Sequence, residues 1–283
     1  MKPKVSEMEG GNGELSIDTL NLNALPQDCI ATIISFTSPR DACRLSIVST
    51  IFKLAAESDA VWESFLPSQY QALIPSSLSF SSKKELYLSL CENPVLIEGG
   101  RKSFWLEKVS GKKCYMLSPK DLYIEWVNTP TYWRWVSIPK ARFEEVPELL
   151  SVCWFEIRGK ISISRLSPMT LYKAYLVFKV HDVYGFDYYP VKLSVGVVGT
   201  EGSKRAAYLE PERDRIPIDL QPTPNDVQFP MARVDGWLEV EMGEFFNEGC
   251  MNAGELEMSA LEIEGGNWKG GLIFQGIEIR AIA

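Results

Sequence analysis

The feature that most constrains this chain is a change of hydrophobic period near Cys114. Before it, apolar residues recur at helical spacing: Ile30, Ile33 and Ile34 share one predicted face, as do Ala42, Leu45 and Val48. Beyond it the period is two. In Cys153-Trp154-Phe155-Glu156-Ile157-Arg158-Gly159-Lys160-Ile161 the odd positions are mainly apolar, while Glu156, Arg158 and Lys160 point the other way. Similar alternating runs occur at 171–181, 191–199, 236–242, 255–263 and 271–280. Short helices followed by many strands separated by turns predict a multidomain chain, a small α-helical unit and then an all-β antiparallel sandwich or barrel. With 283 residues and 46% hydrophobic content, the chain is long enough to bury a core in such an arrangement.

Helix starts are marked locally. Pro26 suits a first turn, where its missing N–H costs nothing. Ser38-Pro39-Arg40-Asp41 offers a capping serine, a proline at the first helical position and a carboxylate three residues on. Asp59 is placed to cap the turn that carries Val61 and Trp62. Residues 1–20 are polar and Gly-rich without periodicity, which predicts a disordered tail. Residues 67–112 read as a helical and linker region, with a helix around Glu85 to Cys91 and with Phe104 and Trp105 as packing residues. The Pro- and charge-rich stretch 201–230 reads as a long surface loop.

Composition excludes several classes of function. A net charge of −8, with only short basic pairs such as Lys83-Lys84 and Lys112-Lys113, lacks the footprint of a nucleic-acid binder. No run approaches the roughly 20 apolar residues of a membrane span, and the first twenty residues lack a signal-peptide core. The six cysteines contain no C-x-x-C pair, so buried free thiols in a reducing compartment are expected, with no metal or other cofactor. The single histidine, His181, has no nucleophile motif beside it, and no phosphate-binding Gly-rich loop occurs.

The string Leu25-Pro26-Gln27-Asp28-Cys29-Ile30, continued through Ile34 to Ala42 and ending in Ser58-Asp59-Ala60-Val61-Trp62, resembles an F-box, assigned here to residues 21–66. The resemblance implies a three-helix module that docks onto a Skp-type adaptor and through it a cullin ubiquitin ligase. It places Leu25, Pro26, Ile30, Val61 and Trp62 on the adaptor surface. Residues 113–283 resemble the plant lectins of the phloem-protein-two type and the tobacco agglutinin. The likeness is carried by Tyr123-Ile124-Glu125-Trp126 with Tyr132-Trp133-Arg134-Trp135, by the 153–161 run, and by Asp235-Gly236-Trp237 through Phe246. It implies a jelly-roll-like lectin domain, not an enzyme, in a cytoplasmic or nuclear protein whose client is a glycan or glycoprotein.

A pyranose ring offers one apolar face and a rim of hydroxyls, so its recognition calls for an aromatic surface and polar acceptors. The resemblance assigns these roles to Trp126, Trp133, Glu255 and Glu262. Packing competes with ligand contact for Trp126, Trp133 and Trp135 around the turn at 128–131, whereas Trp154 and Trp237 read as packing residues. The odd offset between Glu255 and Glu262 puts them on opposite sides of an uninterrupted strand, so a shared site needs a bulge or a strand end. Two other readings remain. The sandwich could recognise protein clients without sugar, or Glu255 and Glu262 could act as the carboxylate pair of a glycoside hydrolase.

Overall fold

The computed structural model describes residues 25–74, 79–211, 227–249 and 254–282. The tail expected at 1–20, part of the 201–230 loop, and Cys250 lie outside the described residues.

Four short helices come first: α1 (Gln27–Ser35), α2 (Pro39–Leu45), α3 (Thr50–Ala56) and α4 (Asp59–Phe65). Ser38 caps α2 as its sequence suggests, accepting from the Asp41 amide at 3.1 Å, and Ser49 caps α3. Asp59 does not cap α4. Its carboxylate instead accepts from the Lys83 amide at 2.8 Å, tying α4 to the start of α5 (Lys83–Glu92). Ile30 and Ile34 are buried, but Ile33 and Val48 are exposed, so the apolar stripe is wider than the core it covers.

The helical unit does not stand alone. Trp62 is buried, donates from Nε1 to the Ala56 carbonyl at 2.7 Å, and packs on Phe65 and on Tyr87 of α5 with centroids 5.7 and 5.3 Å apart. The Tyr87 hydroxyl reaches the carbonyls of Glu107 and Lys108 at 3.2 and 3.1 Å, and burial pushes its pKa up, so it remains a donor. Gly111 closes the same junction in a left-handed conformation. A Cβ there would stand 3.4 Å from Pro39 and 3.5 Å from the Phe65 carbonyl. Residues 67–112 are therefore no linker. They supply α5 and two strands, β1 (Val95–Ile97) and β2 (Lys102–Leu106), and these strands belong to the sandwich.

The remaining strands are β3 (Lys113–Leu117), β4 (Tyr123–Ile124), β5 (Trp133–Val136), β6 (Val146–Leu149), β7 (Phe155–Ser162), β8 (Thr170–Tyr184), β9 (Val191–Val197), β10 (Ser203–Ala207), β11 (Val227–Gln228), β12 (Met231–Ala232), β13 (Leu238–Asn247), β14 (Glu255–Glu262) and β15 (Gly270–Ala281). A nine-stranded sheet runs β1-β2-β3-β15-β8-β13-β12, with β6 on β15 and β5 on β6. A six-stranded sheet runs β11-β10-β9-β14-β7-β4. Their pairing is antiparallel apart from β10 with β11. Phe155 and Ile157 of β7 face Phe274 and its neighbours across the core, while Glu156, Arg158 and Lys160 face out, in line with the period-two pattern.

Strand β15 links the two ends of the molecule. Its last residue, Ala281, donates its amide to the Cys114 sulfur beside the helical junction, and its first, Gly270, follows Trp268 and Lys269. Eleven strand steps separate these ends by about 36 Å. At the far end Lys269 is fully buried and ion-paired to Glu262. Its ammonium also donates to the carbonyls of Asn267 at 2.7 Å and Cys153 at 3.4 Å. Its backbone exchanges two 2.9 Å hydrogen bonds with Val152, and Glu262 accepts from the Gly265 amide at 2.9 Å. The 263–269 turn is thus pinned at both edges.

Truncating Trp62 to alanine is expected to lower stability by about 3–5 kcal/mol in urea denaturation, because it opens a cavity in a shared core. Lys269→Met should cost about 3–5 kcal/mol by leaving the Glu262 carboxylate buried and unpaired, and adding Glu262→Leu should recover most of the loss.

Candidate functional site

The end of the sandwich pinned by Lys269 carries an exposed aromatic surface. Trp126 follows β4 in a left-handed backbone conformation (φ 57°), which costs a bulky residue about 1–2 kcal/mol and is held here by the turn that follows. In that turn the Thr129 amide donates to the Trp126 carbonyl at 2.8 Å, and the amides of Tyr132 and Trp133 donate back to the Thr129 carbonyl at 2.9 and 3.0 Å. The Trp126 ring lies 5.3 Å from that of Tyr132, which lies 6.3 Å from Trp268, each pair inclined by 40°. Trp126 is 38% exposed and Trp268 54%. Two exposed tryptophans bridged by a half-buried tyrosine form a surface suited to the apolar face of a sugar.

Trp133 does not belong to that surface. It is buried, donates from Nε1 to the Glu125 carbonyl at 3.0 Å, and packs on Phe274 at 5.9 Å. Its neighbour Tyr132, the last residue of the turn before β5, is half-buried and packs against the core while bridging Trp126 and Trp268. Trp237 is buried as expected, while Trp154 is 39% exposed, its indole donating to Glu156 at 2.9 Å.

The two glutamates are separated as well. Strand β14 pairs with β7 from Glu255 opposite Ser162 to Glu262 opposite Phe155 without a register shift, so no bulge intervenes. Glu255 is exposed at one end, near Lys160, whereas Glu262 faces the core at the other, about 24 Å away along the strand. Only Glu262 lies near the aromatic end, and it serves Lys269 beneath the surface. Carboxylates of a glycoside hydrolase stand about 5–9.5 Å apart, so this pair cannot flank a glycosidic bond. His181 is exposed and bonds Glu148 at 3.0 Å. Among the described residues no group of three or more His, Cys, Asp or Glu side chains could hold a metal ion.

The outer face of β7 and β4 adds polar groups beside the aromatic end. Arg158 bonds Glu156 at 2.6 Å, and with Trp154 it holds that carboxyl below the usual carboxylate range. Trp268 carried no motif signal, and Tyr132 stood in the Tyr132-Trp133-Arg134-Trp135 string without being assigned a ligand role. The glycine-rich string Gly265-Gly266-Asn267-Trp268 is the pattern that could have indicated a tryptophan displayed on a turn.

In the helical unit, Ile30, Val61 and Trp62 are core residues, leaving Leu25 and Pro26 as the exposed members of the expected adaptor surface. The apolar side chains that lie open are instead Ile33, Phe36, Ile47, Val48, Ile51 and Leu54, all on α1, α3 and the connections beside α2. Phe36 and Ile47 are 85% and 86% exposed, which is unusual for residues of their size. Cys29 and Cys43 are also exposed rather than buried. No helix among the described residues is long and apolar enough to cross a membrane.

Comparison with known proteins agrees with this division. The F-box domain family profile matches residues 22–64 and the phloem protein 2 profile matches 112–281. The Arabidopsis thaliana F-box protein PP2-B10 is 51% identical over 91% of this chain and 93% of its own length. F-box protein PP2-B1 of the same plant is 45% identical over 95% and 93%, respectively. Among solved structures, a Podospora anserina GH26-CBM35 mannanase aligns with 60% of this chain and 28% of its own at a TM-score of 0.31 and 11% identity, too distant to bear on the ligand. With a helical F-box leading directly into a phloem protein 2 sandwich, the chain belongs to the F-box phloem protein 2 family.

Proposed function

We propose that this chain is the substrate-recognition subunit of a Skp–cullin–F-box ubiquitin ligase whose sandwich grasps a glycan on the client. The F-box domain supports a Skp-type adaptor role, and the open apolar side chains of α1 and α3 are the surface such a partner would cover. The observation that carries the glycan half is the Trp126–Tyr132–Trp268 row, with both tryptophans exposed, at the pole opposite the F-box. There a client can be held without obstructing the adaptor. The chain supplies no chemistry of its own in this reading. It raises the effective concentration of client lysines near ubiquitin carried by other subunits.

A free glycan gains little beyond desolvation of one or two faces, so micromolar or weaker affinity is expected, with neighbouring client surface adding the rest. On a glycan array, Trp126→Ala with Trp268→Ala should reduce binding at least about tenfold, near 1.4 kcal/mol, while the protein stays folded with a cooperative thermal melt. Trp133→Ala should instead lower stability by about 3–5 kcal/mol. Selective glycan binding that survives the double substitution, or no binding to any glycan by folded protein, contradicts the site. Phe36→Asp with Ile47→Asp should abolish co-purification with a Skp adaptor while the chain stays folded, and retained co-purification contradicts the docking surface.

A further inference from the structure

We infer that the tyrosine-rich end of β8 and the loop from it to β9 form a cation-reading surface, which docks a lysine- or arginine-bearing segment of the client polypeptide. This rests on the reading that the client is held at the aromatic end, and it uses a chemistry that sugar contact does not require. The segment reads Tyr184-Gly185-Phe186-Asp187-Tyr188-Tyr189-Pro190. Phe186 is buried on Phe155, ring centroids 5.3 Å apart, and anchors the loop. Tyr184, Tyr188 and Tyr189 are exposed, Tyr188 to 70%. The loop abuts the Trp268 turn directly. A Cβ on Gly185 would stand 2.4 Å from the Trp268 carbonyl oxygen, and one on Gly265 would stand 2.5 Å from the Tyr189 ring. Beside it, β15 passes from Gly270 opposite Tyr184 to Leu272 opposite Val180, so His181, Asp182 and Val183 bulge out of β8. Asp182 sits in that bulge at φ 56°, a conformation that aspartate and asparagine adopt more readily than other side chains.

The charges around these rings are unevenly satisfied. Lys192 is paired with Glu264 at 2.6 Å and Lys269 with Glu262, while Arg134 and His181 both engage Glu148, at 2.6 and 3.0 Å. Lys179, earlier on β8, lies over the Trp237 ring at 4.7 Å. Asp182 and Asp187 are exposed, and neither has an ion pair or hydrogen bond among the described residues. A tyrosine face attracts a cation through its quadrupole and a free carboxylate attracts it by charge, so the two together select an ammonium or guanidinium over a neutral side chain. The hydroxyls of a neutral glycan have no use for unpaired carboxylates, and an acidic glycan is repelled by them. Lysine and arginine are the cations that a client chain offers. Tyrosine also contributes contact area at the cost of only two side-chain torsions, which suits a polypeptide partner.

The test follows the fluorescence anisotropy of a labelled, unglycosylated peptide of alternating lysine and glycine titrated with the full chain at low ionic strength, and of the same peptide with every lysine acetylated. The acetylated peptide should bind at least about tenfold more weakly. Asp182→Asn with Asp187→Asn should weaken binding of the lysine peptide about tenfold, asparagine being able to keep the left-handed backbone at 182. Tyr188→Ala should weaken it about threefold, and Tyr188→Phe, which keeps the ring face, should restore it. Glu57→Gln with Glu201→Gln removes the same charge from two exposed positions elsewhere and should leave binding unchanged. An equal loss in that control, or equal binding of the acetylated peptide, overturns the surface, because the attraction then belongs to the net charge of the chain or to the peptide backbone. Glycan binding on the array without binding of the lysine peptide overturns the loop surface and leaves the glycan reading standing. Lysine-peptide binding that follows the expected pattern, with no glycan bound on the array, overturns the glycan reading and leaves the loop surface standing.

Discussion

The buried pair between Lys269 and Glu262 sets the shape of the aromatic end of the sandwich. A fully buried ammonium is tolerable only when a carboxylate and further acceptors surround it, and here Glu262 and the carbonyls of Cys153 and Asn267 do so. Those partners come from three pieces of chain: strand β14, the segment before β7, and the turn before β15. Joining them in one place forces the 263–269 turn to fold over the strand ends. Trp268 is thereby carried up against Tyr132, whose other side meets Trp126. The glutamate that family likeness assigned to ligand contact acts one layer below, as the anchor of the surface.

A second constraint fixes where that surface points. The F-box bundle is too small to bury Trp62 by itself, and Tyr87 of α5 completes its core while bonding the loop at 107–108. Gly111 lets the loop approach Pro39 and Phe65 closely. Helical unit and sandwich therefore share one core, and β15 runs from it to the aromatic end at the opposite pole. In the proposed reading, an adaptor at α1 and α3 and a client at Trp268 would be held at the same time, at a separation set by strand length.

Much of this was readable from residue order. The switch of period at Cys114, the outward Glu156, Arg158 and Lys160 of β7, and the Ser38-Pro39 start of α2 are local patterns with local causes. The parity of Glu255 and Glu262 was enough to predict opposite faces, which the unbroken pairing with β7 bears out. Other features depend on contacts distant in sequence. That Trp133 is buried and not a surface ring is decided by its packing on Phe274, some 140 residues on. Trp62 reads as an adaptor contact until Tyr87 is placed beside it. β1, a strand of three residues, is too short for alternation to reveal, so the 67–112 stretch looks like a linker. Phe36 and Ile47 look like core residues in any apolar pattern, and only the packed bundle shows that nothing among the described residues covers them.

The most direct test of the account is capture of one glycoprotein by the chain already bound to a Skp adaptor, measured before and after the glycan is removed enzymatically. The account predicts a ternary complex with the glycosylated client and its loss on deglycosylation, with adaptor binding unchanged. Equal capture of the deglycosylated client would contradict it, and would mean that the sandwich reads polypeptide and not sugar.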